Sequence, residues 1–174
     1  MRLYNIEPKL GTALMEYSIT TFSAEETISL GFQLGQQLKA GDVVCLTGDL
    51  GAGKTTFAAG VGRGWGAEQP LTSPTYVIVR QHHRADDNAV LYHLDVYRLD
   101  GDVDSIGWND IFAGEAAVLV EWAGTVRDLL PPDALWVTIS EGDDESERLI
   151  IFRAGGPRAQ TLLVAMSVKR AAGN

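Results

Sequence analysis

The stretch VVCLTGDLGAGKTTF, Val43 to Phe57, decides the fold. Its first five residues, Val43 to Thr47, are a short, continuous, largely β-branched run, as expected of a strand covered on both faces. Residues 48 to 55, GDLGAGKT, match G-x-x-x-x-G-K-[ST], and a helical segment is expected directly after them. Strand, glycine-rich turn and helix in that order predict a phosphate loop. Gly48, Gly51 and Gly53 permit positive φ, so that the amides running from Gly48 through Asp49, Leu50, Gly51, Ala52 and Gly53 close around phosphate oxygens. Lys54 is expected as a solvated, mobile point charge for the β and γ phosphates, and the Thr55 hydroxyl as a Mg²⁺ ligand. Thr56 completes the predicted nucleotide-binding run, and the helix N-terminus adds its partial positive charge. From average composition, the four fixed positions coincide by chance on the order of once in a hundred chains of this length or fewer. They point to a nucleoside triphosphate with Mg²⁺, and to neither a substrate nor a biological task.

Working outward, Ser23 with Glu26 three residues on forms a capping box for a first helix; Ile28, Leu30, Leu34 and Leu38 supply its buried side and Gly41 ends it. Beyond the loop, Thr75 to His83 and Ala89 to Asp95 read as strands joined across the polar turn RADDN. Ala117 to Trp122 reads as a buried strand, and Leu135 to Ile139 with Arg148 to Phe152 as a hairpin around an acidic turn. Pro131 and Pro132 fence off a helix before that hairpin. The pattern predicts a single α/β domain, a P-loop nucleotide-binding fold with a central mixed, largely parallel sheet flanked by helices and an antiparallel hairpin. An irregular N-terminal extension (1–16), the domain itself (17–166) and a frayed tail (167–174) are the expected divisions.

Composition narrows the class. The chain has 174 residues, 45% of them hydrophobic and 21% charged, the balance of an ordinary globular domain. A lone cysteine, Cys45, cannot close an intrachain bridge, and with three histidines a zinc-type Cys/His cluster cannot be assembled. Neither a membrane-length apolar run nor a secretory leader pattern is visible, so a cytoplasmic protein is expected. With 23 acidic against 14 basic residues the net charge is −9, which repels a phosphate backbone and argues against autonomous nucleic-acid binding.

A phosphate loop needs acids to complete a metal site and to position water. Asp95 ends LYHLD and Glu121 ends AVLVE, each where an α/β sheet presents its ligand. One is expected to bind Mg²⁺ and the other to orient the attacking water; the residues alone do not assign the roles. TSPTY, Thr72 to Tyr76, places Thr75 in a segment of the kind that senses a γ-phosphate. Trp122 either emerges near the nucleotide or packs in the core. His82 and His83 read as solvated; His93, alternating with Asp95, reads as a structural histidine within reach of the site. Asp104 to Gly107 matches D-x-x-G, yet no N-K-x-D sequence exists, so guanine preference is set aside.

Taken together, GDLGAGKTTF, SPTY, LYHLDVYRL, GWNDIF and VEW followed by DLLP, in that order between about Phe22 and Phe152, closely resemble the TsaE (YjeE) family. These are small ATPases of bacterial tRNA N6-threonylcarbamoyladenosine biosynthesis. The resemblance implies a P-loop ATPase that binds the TsaB and TsaD proteins, touches tRNA only through that complex, and hydrolyses ATP to support threonylcarbamoyl transfer to adenosine 37 of tRNAs reading ANN codons. It also implies Lys54 at the γ-phosphate, Thr55 and Glu121 at the metal, Asp95 as essential to hydrolysis, Thr75 in a switch-like segment and Trp122 beside the nucleotide. The chain departs from the family pattern in its N-terminal extension and in the short DGDVDSI segment. Where the family often carries a Gly-Arg pair before the last strand, only Arg148 stands as an equivalent. Two other functions fit the same loop: a small-molecule kinase, against which the scattered Arg63, Arg80, Arg84 and Arg98 show no lid, and a nucleotide-dependent binding switch.

Overall fold

The computed structural model describes residues 3–4, 15–72, 78–99 and 103–171, with side chains described for 15–166 within those spans. Eight strands form one mixed sheet: β1 (Leu3–Tyr4), β2 (Glu16–Thr21), β3 (Val43–Thr47), β4 (Val79–His83), β5 (Val90–Asp95), β6 (Ala117–Glu121), β7 (Leu135–Glu141) and β8 (Arg148–Ala154). Their order is β1-β2-β8-β7-β3-β6-β5-β4. The central four, β7, β3, β6 and β5, run parallel; β4 pairs antiparallel on one flank, and β8, β2 and β1 antiparallel on the other. The chain enters β3 from the β2 side of the sheet and leaves it toward the β4 side, and the carboxyl end of such a central strand is where an open α/β sheet forms a ligand crevice.

Helices α1 (Ala24–Gly35) and α2 (Lys54–Trp65) cover one face of the sheet. Their contact is close because it runs through glycines. A Cβ on Gly31 or Gly35 would stand 2.3 or 2.1 Å from the carbonyl oxygens of Phe57 or Val61, and one on Gly60 or Gly64 would stand 2.2 or 2.0 Å from those of Ile28 or Phe32. Each such glycine costs helix propensity of about 1 kcal/mol; here it lets two backbones touch and sets the helix that begins at Lys54 tightly against α1. Ser23 caps α1 by accepting from the Glu26 amide, as the capping box predicts, and Glu26 returns a bond to the Phe22 amide. The helix ends six residues before Gly41, at Gly35; Leu38 is buried through a turn in which Gln37 and Leu38 donate to Leu34 and Gly35, and Ile28 is only half-buried. Gly41, at φ +85°, serves the turn into β3 instead.

Other boundaries move too. Leu3–Tyr4 pairs with β2, and Glu16 is the first residue of that strand, so the region expected to be irregular contains sheet pairing. The C-terminal hairpin strands each extend two residues beyond expectation. The segment before Pro131 is a run of 3-10 turns, Ala123–Leu129, in place of an α-helix. A helix that sequence reading missed, α4 (Pro157–Ala171), packs on β8 and continues through Ser167, where a frayed tail was expected to begin. Its signals were Pro157 at the first helical position and the apolar set Leu162, Leu163 and Met166, all buried. The opposite sheet face is covered by α3 (Trp108–Ile111) and the 3-10 turns around Val126 and Leu130. Among the described residues no helix is long and apolar enough to cross a membrane.

Candidate functional site

The loop between β3 and α2 is shaped by its glycines. Gly48 has φ +141°, and a Cβ there would meet the Ile139 carbonyl oxygen at 2.1 Å; Gly53 has φ +104°, directly before the first helical residue. Only glycine fits both demands, and Asp49, Leu50 and Gly51 stand exposed at the tip. Lys54 is not solvated as expected but 5% exposed. Its Nζ donates to the carbonyl oxygens of Gly48 and Asp49, each at 2.8 Å, and sits 3.6 Å from the centre of the Trp122 ring. The burial expectation failed because the side chain folds back over its own loop, under the indole. Burial pushes its ammonium down from the ordinary lysine value, opposed by the charges of Glu121, Asp95 and Asp49.

Both predicted carboxylates come to this end of the sheet. Asp95 and Glu121 are register partners on the parallel strands β5 and β6. Glu121 is 2% exposed; its Oε2 accepts from the Thr55 hydroxyl at 3.0 Å and its Oε1 lies 2.9 Å from His93 Nε2. Asp95 is half-buried and accepts from the Tyr97 amide at 3.0 Å. Burial first, and the Glu121 charge next, hold its carboxyl above the usual carboxylate range.

Trp122 lies just outside β6, with φ +63°, a left-handed backbone that bulky residues seldom adopt. That turn swings the indole over Lys54, where the Tyr97 ring joins it at 4.6 Å between centroids. Trp122 is thus half-buried, packed at the margin of the core and lying over Lys54. Sequence reading missed Tyr97, although its place two residues after Asp95 was visible. His93 is fully buried and bonded to Glu121, and His82, expected in solvent, is 8% exposed on the same face as His93, with ring centroids 6.2 Å apart. The polar look of an edge strand did not betray this burial. Thr75 falls outside the described residues. Asp104–Ile106 is a surface 3-10 turn.

Arg148 reaches the loop from β8: its Nε donates to Ala52 O at 3.0 Å, and its Nη1 donates to the Glu145 and Glu147 carbonyls, each at 2.7 Å. It thereby ties the acidic hairpin turn to the phosphate loop. Between that turn, the loop and the start of α1 lies a hollow of about 200 Å³ bordered by Ser23, Thr27, Thr56, Ser146 and Arg148. Among the described residues no group of three or more His, Cys, Asp or Glu side chains could cage a metal on its own. A hydroxyl hydrogen-bonded to a carboxylate beside a phosphate loop instead suits Mg²⁺, which takes one or two protein oxygens and fills its octahedron with phosphates and water.

The family model for the threonylcarbamoyl adenosine biosynthesis protein TsaE matches residues 21–150. The chain is 39% identical over 148 residues to the Bacillus subtilis tRNA threonylcarbamoyladenosine biosynthesis protein TsaE, covering 84% of this chain and 91% of that one. It is 40% identical over 122 residues to the Streptomyces coelicolor protein of the same name, covering 68% and 82%. The crystal structure of Bacillus subtilis YdiB superposes with a TM-score of 0.78 at 33% identity, over 92% of this chain and 99% of that one. The matched span carries β3, the phosphate loop, Asp95 and Glu121 together, and the chain belongs to the TsaE family of threonylcarbamoyladenosine biosynthesis proteins.

Proposed function

We propose that this chain is a Mg²⁺-dependent ATPase that acts with the TsaB and TsaD proteins in tRNA threonylcarbamoyladenosine synthesis, meeting tRNA only through that complex. The observation that carries this is the Thr55 hydroxyl 3.0 Å from Glu121, with Asp95 in register beside it, at the mouth of the phosphate loop. The phosphates are held by the loop amides from Gly48 to Thr56 and the N-terminus of α2. Lys54 releases the Gly48 and Asp49 carbonyls and turns to the γ-phosphate, while Thr75 contributes from its own segment. The nucleoside occupies the hollow beside Thr56 and Arg148. Thr55 and Glu121, with Asp95 alongside, would hold Mg²⁺, which would supply positive charge against the charge developing on the phosphates. Asp95 orients the attacking water and takes its proton, for which a carboxyl held above its usual range is suited. The water oxygen bonds to the γ-phosphorus as the β–γ bridge breaks, giving ADP and phosphate. Trp122, with the tilted Tyr97 ring packed against it, shields Lys54 from bulk water and is expected to change its fluorescence on ADP binding.

The test is steady-state phosphate release by the purified protein, alone and with TsaB and TsaD, repeated with Asp95→Ala. Slow turnover that rises with the pair and is lost in the variant is expected. Turnover indifferent to the pair overturns the partner assignment, and phosphate appearing on a small acceptor in place of water identifies a kinase.

A further inference from the structure

Glu121 is almost wholly buried, and its two oxygens have different partners: Oε2 takes the Thr55 hydroxyl, and Oε1 takes His93 Nε2 at 2.9 Å. His93 stands two residues before Asp95 on β5, hence on the same sheet face, with no solvent exposure at all. An ionised carboxylate only accepts, so the ring carries its hydrogen on Nε2 and donates it. The other nitrogen, Nδ1, is buried without a partner among the described residues. A histidine present only to fill this space would bring a bare polar nitrogen into a face lined by Leu91 and Leu119, a desolvation cost that leucine avoids. The neighbouring ring is His82, its centroid 6.2 Å from that of His93; burial first, and the nearby His93, Arg80 and His83 next, hold its pKa below the ordinary histidine value. The carboxylate is thus oriented at Oε1 by the imidazole and at Oε2 by the hydroxyl. Because the two bonds use different oxygens, one can persist while Thr55 exchanges its partner for a ligand.

We propose, resting on the ATPase function set out above, that His93 is a positioning residue whose Nε2–H pins Glu121 Oε1 and thereby keeps Oε2 on the Thr55 side of the site for Mg²⁺ and nucleotide. Partners of this kind, one step removed from a metal, change affinity or activity by about 10–100-fold when deleted.

The experiment compares His93→Leu, which removes the donor at similar volume, with His93→Gln, whose amide restores one. ATP turnover is measured with and without the TsaB and TsaD pair, and the Mg²⁺ concentration that half-saturates ADP binding is read by calorimetry, which needs no turnover. His93→Leu is expected to lower kcat at least about 10-fold and to raise the Mg²⁺ requirement by a similar factor, with the KM for ATP changed less than about 3-fold; His93→Gln is expected to recover most of both losses. Adding Glu121→Gln to His93→Leu should cost no more than Glu121→Gln alone. An unchanged Mg²⁺ requirement in His93→Leu, or equal losses in Leu and Gln variants, overturns the positioning role. If His93→Leu does not fold by circular dichroism, His93→Gln against the shorter His93→Asn makes the same comparison, with failure of Asn alone expected and equal behaviour overturning the role. Full turnover in Glu121→Gln would instead remove the ATPase assignment of Glu121, and a damaged Glu121→Gln beside an intact His93→Leu removes only the inference about His93.

Discussion

The parallel centre of the sheet buries a carboxylate at each of its ends, and the two are treated in opposite ways. At the amino end, Asp42, 4% exposed just before β3, is gripped by Arg158 of α4 through Nε to Oδ1 at 2.7 Å and Nη2 to Oδ2 at 2.6 Å, with the Lys39 amide as a third donor at 2.8 Å. Asp133 caps α4 beside it, accepting from the Arg158 and Ala159 amides. At the carboxyl end, Glu121 is equally buried but meets only a hydroxyl and an imidazole, and Lys54 bonds to carbonyls and to neither carboxylate among the described residues. A bidentate guanidinium fixes an acid for good, tying α4 to β3. A hydroxyl and an imidazole fix its direction without a guanidinium's permanent charge. Burial with a full counter-ion marks structure; at the carboxyl end the proposed Mg²⁺ would supply the charge that no bonded guanidinium does.

The sharpest way to break this comparison is at the lysine. Lys54→Ala is expected to reduce ATP hydrolysis by at least about 10²-fold with the fold retained, since the buried ammonium it removes is bonded only to the loop's own carbonyls; phosphate release and a thermal melt check both halves. Turnover within a few-fold of the parent would mean that the carboxyl end is not the reaction site. Next comes Arg158→Ala, which leaves Asp42 buried without its partner. A loss of about 3 kcal/mol in urea denaturation is expected, at the lower end for such pairs because the guanidinium is itself 35% exposed. ATP turnover below the melting transition should not change. Asp42→Asn, which keeps an acceptor for Lys39 but loses the charge, is expected to cost less, about 1.5 kcal/mol. If either variant instead matched the parent in stability, the amino-end pair would be ornamental and the contrast would fail.

What was readable in the sequence follows the same division. GDLGAGKT was legible because each glycine answers a local demand, the positive φ of Gly48, Gly51 and Gly53. Asp95 and Glu121 were legible as strand ends, since apolar runs announce buried strands. Their bonds were not: Thr55 meets Glu121 across 66 positions and His93 meets it across 28, contacts that exist only once β5, β6 and β3 lie side by side. The bond between Arg158 and Asp42, 116 positions apart, was invisible for that reason, whereas the helix that carries Arg158 had local signals that were overlooked. Lys54 and His82 were expected in solvent because their neighbours in sequence are small or polar; what packs on them, Trp122 above the lysine and His93 beside the histidine, comes from elsewhere in the chain. The left-handed Trp122 backbone, with no glycine to announce it, had no local signal at all.

The smallest expected effect draws the contrast most finely. Asp95 binds its proton more tightly in the folded chain than in an unfolded one, because burial and the Glu121 charge both raise its pKa. An acid shifted upward lends stability that is complete below the ordinary carboxylate pKa and is lost as pH rises through the raised value. Asp95→Asn, an uncharged isostere that still accepts from the Tyr97 amide, should therefore melt slightly above the parent at neutral pH, by no more than about 4 °C, while hydrolysing no ATP. As the pH falls below the usual carboxylate range the two melting curves should converge. The same substitution at Asp42 lowers the melting temperature at neutral pH, so one chemical change made at the two ends of one sheet gives opposite signs. A neutral-pH melt in which Asp95→Asn falls below the parent would show that Asp95 already has the compensation Asp42 enjoys, and that the carboxyl end holds a finished ion pair where a cation site was inferred.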